Sequence, residues 1–172
     1  MKIKSRTVEK LRITETGLLS DPAINLTLED FGPGQGEVTI HSDGDAWCNY
    51  WGAMGKTTNI RSFLISASTD YLVNKLSIGL SREVNDESAD ALAKAALEYI
   101  IKQRRNGSMT REKARELWDD EAVWLNDDGI SAQMDRLNAI FGEEWWYHLP
   151  QKSNQAYERL TNIVKVIKEA LR

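Results

Sequence analysis

Val38-Thr39-Ile40-His41-Ser42-Asp43-Gly44-Asp45-Ala46-Trp47-Cys48-Asn49-Tyr50-Trp51 spells two alternating segments joined by an Asp-Gly turn. Val38 and Ile40 alternate with Thr39 and His41, the period of two that marks a strand with one buried face. Asp43-Gly44 between the two halves is the signal for a tight hairpin, because its turn needs residues that accept positive φ. Ala46 to Trp51 then reads as the returning strand, with Trp47, Asn49 and Trp51 on one side of the pleat and Cys48 and Tyr50 on the other.

On the N-terminal side, Ile24, Leu26 and Leu28 alternate with Asn25 and Thr27, and Leu11 and Ile13 alternate with polar neighbours. Gly32-Pro33-Gly34-Gln35-Gly36 supplies a second turn. Hairpin-length connections join antiparallel neighbours, so the first third predicts an antiparallel meander of about four strands.

After Gly55 the apolar spacing changes to that of helices. Ile60, Phe63, Leu64 and Ala67 suggest a short one. Thr69 or Asp70 caps a second, carrying Tyr71, Leu72, Lys75 and Leu76 toward a stop at Gly79. Asp86 caps a longer helix over Ser88 to about Arg105, with Ala89, Leu92, Ala93, Ala96, Tyr99 and Ile100 on one face and Gly107 beyond its end. Thr110 caps the next, Arg111 to about Trp124, with Ala114, Leu117, Trp118 and, just beyond, Leu125 inward. Asn126-Asp127-Asp128-Gly129 breaks the pattern. Ile130, Met134, Leu137 and Phe141 give another helical face, closed by Gly142. Pro150 precedes the last helix, Ser153 to Leu171, whose stripe is Tyr157, Leu160, Ile163, Val164, Ile167 and Leu171.

Strands first and helices after predict an α+β fold, an N-terminal meander packed against C-terminal helices. A single domain over 1–172 is expected, with a β-rich front of 1–80 and a helical back of 86–172 that meet between residues 78 and 86.

The chain has 172 residues, 41% of them apolar and 28% charged, which suits a globular domain with its own core. Its net charge of -4 is too mild for a DNA mimic and lacks the basic excess of a dedicated nucleic-acid binder. Cys48 is the one cysteine, so neither an intrachain disulfide nor a cysteine cluster is available, which fits a reducing cytoplasm. It is read as a small buried hydrophobe. No signal peptide and no membrane span are expected.

Gly55-Lys56-Thr57 ends like the phosphate loop G-x-x-x-x-G-K-[ST]. That pattern needs its first glycine at position 50, where Tyr50 stands, and Gly52 is too close. The preceding strands also form hairpins rather than a βαβ unit, so no nucleotide site is assigned. His41 lies at a strand end beside Asp43 and Asp45. Glu144 and His148 share a helical spacing, but Pro150 follows at once and no second histidine is near, so no metal is assigned. The carboxylates Asp119-Asp120-Glu121, Asp127-Asp128 and Glu143-Glu144 read as solvated helix ends. No nucleophile with a base and an orienting group is present. No catalytic residue and no cofactor are therefore predicted.

Two features suggest binding. Lys102, Arg104, Arg105, Arg111, Lys113 and Arg115 crowd around one helix–helix turn, and Glu116, Asp119, Asp120, Glu121, Asp127 and Asp128 follow them. Such a dipolar patch suits a partner or a self-complementary homo-oligomer contact. The chain also has six tryptophans, Trp47, Trp51, Trp118, Trp124, Trp145 and Trp146. Large aromatics mostly pack cores, but they also anchor protein interfaces. Trp145 and Trp146, followed by Tyr147, join the six basic residues as partner-binding candidates.

Trp47 to Gly55, then Ile60-Arg61-Ser62-Phe63-Leu64 and Asp70-Tyr71-Leu72-Val73-Asn74-Lys75-Leu76, resemble a group of small uncharacterised bacteriophage and prophage proteins. Those share an aromatic W-G-x-M-G turn followed by F-L…D-Y-L…K-L. The resemblance covers about residues 36–78, lends no catalytic residue, and implies a phage accessory protein in a bacterial cytoplasm. The expected function is binding of a host or phage protein, for instance a host defence or replication factor. One alternative is a nucleic-acid-associated protein using the basic turn 102–115, with Tyr99 and Trp118 for stacking. Another is an enzyme with a carboxylate or metal site that the sequence does not expose.

Overall fold

The structure, a computed structural model, describes residues 3, 7–119 and 134–172. Strands β1 (Glu9–Ile13), β2 (Ile24–Gly32), β3 (Gln35–Ser42) and β4 (Asp45–Trp51) form one antiparallel sheet in the order β1-β2-β3-β4. The register sets Ile24 between Ile13 and Ser42, and Leu26 between Leu11 and Ile40, so their side chains share the inner face. Asp43 and Gly44, between Ser42 and Asp45, have φ of 50° and 85°. Positive φ at both central residues is the geometry that twists with the flanking strands. The β2–β3 pairing slips between Asp30 and Gly32, and Phe31 sets its ring edge-on to Tyr50 at 5.5 Å.

Helix α1 (Ile60–Ser66) starts at Asn59, whose side chain accepts from the Ser62 amide at 2.8 Å. Helix α2 (Thr69–Leu76) is capped by Ser68, not by Thr69 or Asp70, because the Ser68 hydroxyl reaches the Tyr71 amide. Beyond them lie β5 (Glu83–Asn85), α3 (Ala89–Arg105), α4 (Arg111–Asp119), α5 (Met134–Phe141), a 3-10 turn over Trp145–His148, β6 (Gln151–Ser153) and α6 (Gln155–Ala170). The chain is therefore α+β. Asp86 is not the cap of α3: Ser88 holds that position without a side-chain bond, and the Asp86 carboxylate accepts from the Ser88 amide. Thr110 does cap α4, accepting from the Lys113 amide. Trp124, Leu125, Asp120, Glu121, Asp127, Asp128 and Ile130, with the break at 126–129, lie outside the described residues.

The chain divides into two compact units, Met1–Arg82 with Asn154–Arg172, and Glu83–Ser153. In the first, the inner sheet face packs with α1, α2 and α6 in one core that includes Ile24, Leu26, Val38, Ile40, Leu72, Val73, Leu160 and Ile163. The apolar stripe of α6 is the one expected, but it belongs with the sheet and not with a helical back of 86–172. Arg159 of α6 holds the β3–β4 turn, donating to the Ser42 carbonyl at 3.1 Å and pairing with Asp45 and, at 3.5 Å, with Asp43. The Asn154 side chain and amide donate to the Ser81 and Arg82 carbonyls.

In the second unit, α3, α4 and α5 enclose a core of Leu92, Ala96, Ile100, Leu117, Leu137, Ile140 and Phe141. The short ribbon of β5 and β6 pairs Glu83 with Ser153 and Asn85 with Gln151. Both three-residue strands are exposed, without the apolar alternation that would announce them in sequence.

Candidate functional site

Helix α3 turns its Leu92, Ala96 and Ile100 inward. Successive helical residues are rotated by about 100°, so Ile101 falls beside that face, and Arg104 and Arg105 stand one turn on. Gly107, with φ of 79°, reverses the chain, and α4 returns with Leu117 buried and Ala114 half-buried. Between the helices lies a groove of about 520 Å³ lined by Ile100, Ile101, Arg104, Arg105, Ala114, Arg115, Trp118 and Asp119. Trp118 is 40% exposed.

All six basic candidates are exposed. Lys113 pairs with Glu116 at 3.0 Å and Arg115 with Asp119 at 3.9 Å, both along α4. Surface pairs of this kind contribute little, on the order of 0.3–0.5 kcal/mol. Among the described residues, no carboxylate stands in ion-pair range of Lys102, Arg104, Arg105 or Arg111. The structure thus brings Arg104, Arg105 and Arg115 together on one groove. Ile101, part of its apolar lining, was not singled out in the sequence, although an isoleucine next to a core isoleucine on a helix is the available signal.

Trp145 is half-buried against the core of this unit, whereas Trp146 is 49% and Tyr147 76% exposed. Trp145 meets Trp146 edge-on at 5.9 Å, and Trp146 contacts Tyr147 at 5.9 Å. His148 stacks on Phe141 with ring centroids 5.3 Å apart and lies 5.0 Å from Tyr99. Tyr99 also sits edge-on to Phe141, so the rings of Tyr99, Phe141 and His148 form one cluster.

The Gly52–Thr58 loop has a structural task. The Gly34 amide donates to the Thr58 carbonyl, the Met54 amide donates to the Gly34 carbonyl, and Met54 is buried. The start of α1, where a phosphate loop would present free amides, is occupied: Asp30 accepts from the Ile60 amide at 2.8 Å and Asn59 from Ser62. Cys48 is exposed, contrary to its reading as a buried hydrophobe, because it lies on the outward side of β4 with Ala46 and Tyr50. His41 is exposed too. Among the described residues, no three His, Cys, Asp or Glu side chains are grouped to hold a metal ion, and no helix is long and apolar enough to cross a membrane.

A family model described as "Phage family" matches residues 1–172. The chain belongs to this phage protein family. The match spans both compact units of the phage protein. No curated protein and no solved structure matches it.

Proposed function

We propose that this phage protein works by binding another protein, of the host or the phage, through the α3–α4 face. Such a partner is a host defence or replication factor in the cytoplasm of an infected bacterium. The observation that carries the reading is the groove itself: an apolar floor beside Arg104 and Arg105, for which no ion pair is found among the described residues. Side chains of this kind anchor protein partners, since an apolar floor gains by desolvation and a charged rim speeds encounter. The exposed pair Trp146 and Tyr147 supports a binding role for the same unit.

The test is affinity capture from bacterial lysate with and without nuclease, using the native chain and the triple variant Arg104→Glu, Arg105→Glu, Arg111→Glu. A protein partner that survives nuclease and is lost, or associates more slowly, with the variant supports the reading. The same captured set at the same rate and salt dependence would refute it.

A second reading has an observation of its own. Lys102, Arg104, Arg105 and Arg111 lie around one turn, and Arg104 and Arg105 share a groove with the exposed Trp118, an arrangement that suits a phosphate chain with one stacked base. Nuclease sensitivity of the captured material would favour it, as would steep weakening with salt.

A further inference from the structure

We infer that the α3–α4 groove takes an amphipathic helix with an acidic edge. The inference rests on the reading of this face as the partner-binding surface and specifies the chemistry of the partner.

Three observations converge on it. The first is the floor. Ile100, Ile101, Ala114 and Trp118 line an open trough of about 520 Å³ between two helices. An apolar trough of this form is filled by side chains presented at i, i+3 or i+4, and i+7.

The second is charge. Arg104 and Arg105 line the groove without an ion-pair partner among the described residues, and Lys102 and Arg111 flank them in the same state. The C-terminal end of α3 offsets only about half a charge of this excess. Of the nine basic residues in 83–153, six fall within 102–115, in a segment that is otherwise rich in carboxylates. A row of carboxylates on the guest matches this concentration, and the planar guanidinium fork grips a carboxylate at two points.

The third is the position of Asp119. It lines the same groove, 3.9 Å from Arg115, too far for a strong hydrogen bond. A carboxylate there repels acidic guest residues nearby. The guest's acids therefore lie toward Arg104 and Arg105, and an uncharged or basic residue lies by Asp119, which sets the direction of the helix. A phosphodiester chain would satisfy the arginines but leave Ile101 and Ala114 against a polar strand. The floor therefore favours the peptide.

The experiment is selection of a random peptide library, about 15 residues or four helical turns long, on the full chain with nuclease present. Enriched peptides are expected to carry Asp or Glu beside apolar residues at helical spacing. Their affinity should fall roughly tenfold or more on Arg104→Glu with Arg105→Glu, and also on Trp118→Ala, which removes part of the floor without changing charge. Arg104→Gln with Arg105→Gln replaces the reversal if circular dichroism shows that the reversed chain has unfolded.

Four outcomes overturn the inference: no enrichment, enrichment without acids, enrichment without helical spacing, or equal binding to the folded variants. A single-stranded DNA oligonucleotide that binds this face more tightly than every selected peptide overturns it as well. Should lysate capture depend on Arg104, Arg105 and Arg111 while no such peptide is selected, the binding face stands and the acidic helix falls. Should capture be indifferent to those residues, both fall.

Discussion

A Cβ placed on Gly34 would stand 2.3 Å from the carbonyl oxygen of Gly55. The β2–β3 turn and the Gly52–Thr58 loop touch through their backbones at this point, and a side chain has no room there. Gly34 also has φ of 72°, which an L side chain adopts at a cost. Gly55 of the aromatic W-G-x-M-G run thus takes part in docking a loop onto a hairpin.

Gly34→Ala should destabilise the protein by about 2–5 kcal/mol, the sum of a left-handed backbone term and displacement of the Gly55 loop. Gly17→Ala is the control: φ there is 66°, but nothing lies within 4 Å of the added carbon. It should cost only the backbone term, about 1–2 kcal/mol. Urea unfolding of both variants measures the difference, and equal midpoints would remove the steric argument.

Trp51 is 6% exposed at the end of β4, and its indole N–H donates to the Tyr71 hydroxyl at 3.2 Å. Phe63 lies against both rings, at 5.5 and 6.1 Å. Trp51→Ala should lose about 3–5 kcal/mol, as for other large buried aromatics. Tyr71→Phe keeps the packing and removes only the acceptor, so it should lose about 1 kcal/mol. A Trp51→Ala chain that unfolds at the native denaturant midpoint would show that this aromatic strand does not support the core.

The Asp86 carboxyl is held below its ordinary value, chiefly by the hydrogen bond from the Lys152 ammonium, then by Ser88. Its folded value therefore lies below its unfolded one. The stabilisation is fully present above the unfolded value, near pH 4, and is lost as pH falls through the folded value. Asp86→Asn should lower the melting temperature at pH 7, and its deficit should shrink steadily below about pH 4. A deficit that stays constant down to pH 2 would assign the effect to packing instead of charge.

Much of the fold is legible from particular residues. The alternation of Ile24, Leu26 and Leu28 with Asn25 and Thr27 announces β2, and Asp43-Gly44 announces the turn that follows β3. The stripe from Tyr157 to Leu171 announces α6. Cys48 is of a residue type that favours burial, but its parity opposes that of Trp47 and Trp51, and on β4 parity prevails. The six basic residues are visible in the sequence as a cluster. The groove is not, because it needs Ile101 and Ala114 from two helices to meet.

Local periodicity is written in the residue order: four strands, their two tight turns, and helices with an apolar side. Those follow from the geometry of neighbouring residues, period two in a pleat and 3.6 in a helix, and need no distant partner. Tertiary structure alone decided that α6 returns to cover the sheet, that β5 pairs with β6 across more than sixty residues, and that α3 and α4 enclose an apolar groove rimmed by arginines. Each of these depends on which apolar face finds which other, and burial rewards any matching pair of faces alike. An apolar stripe says that a helix must be covered; only the packed chain says by what.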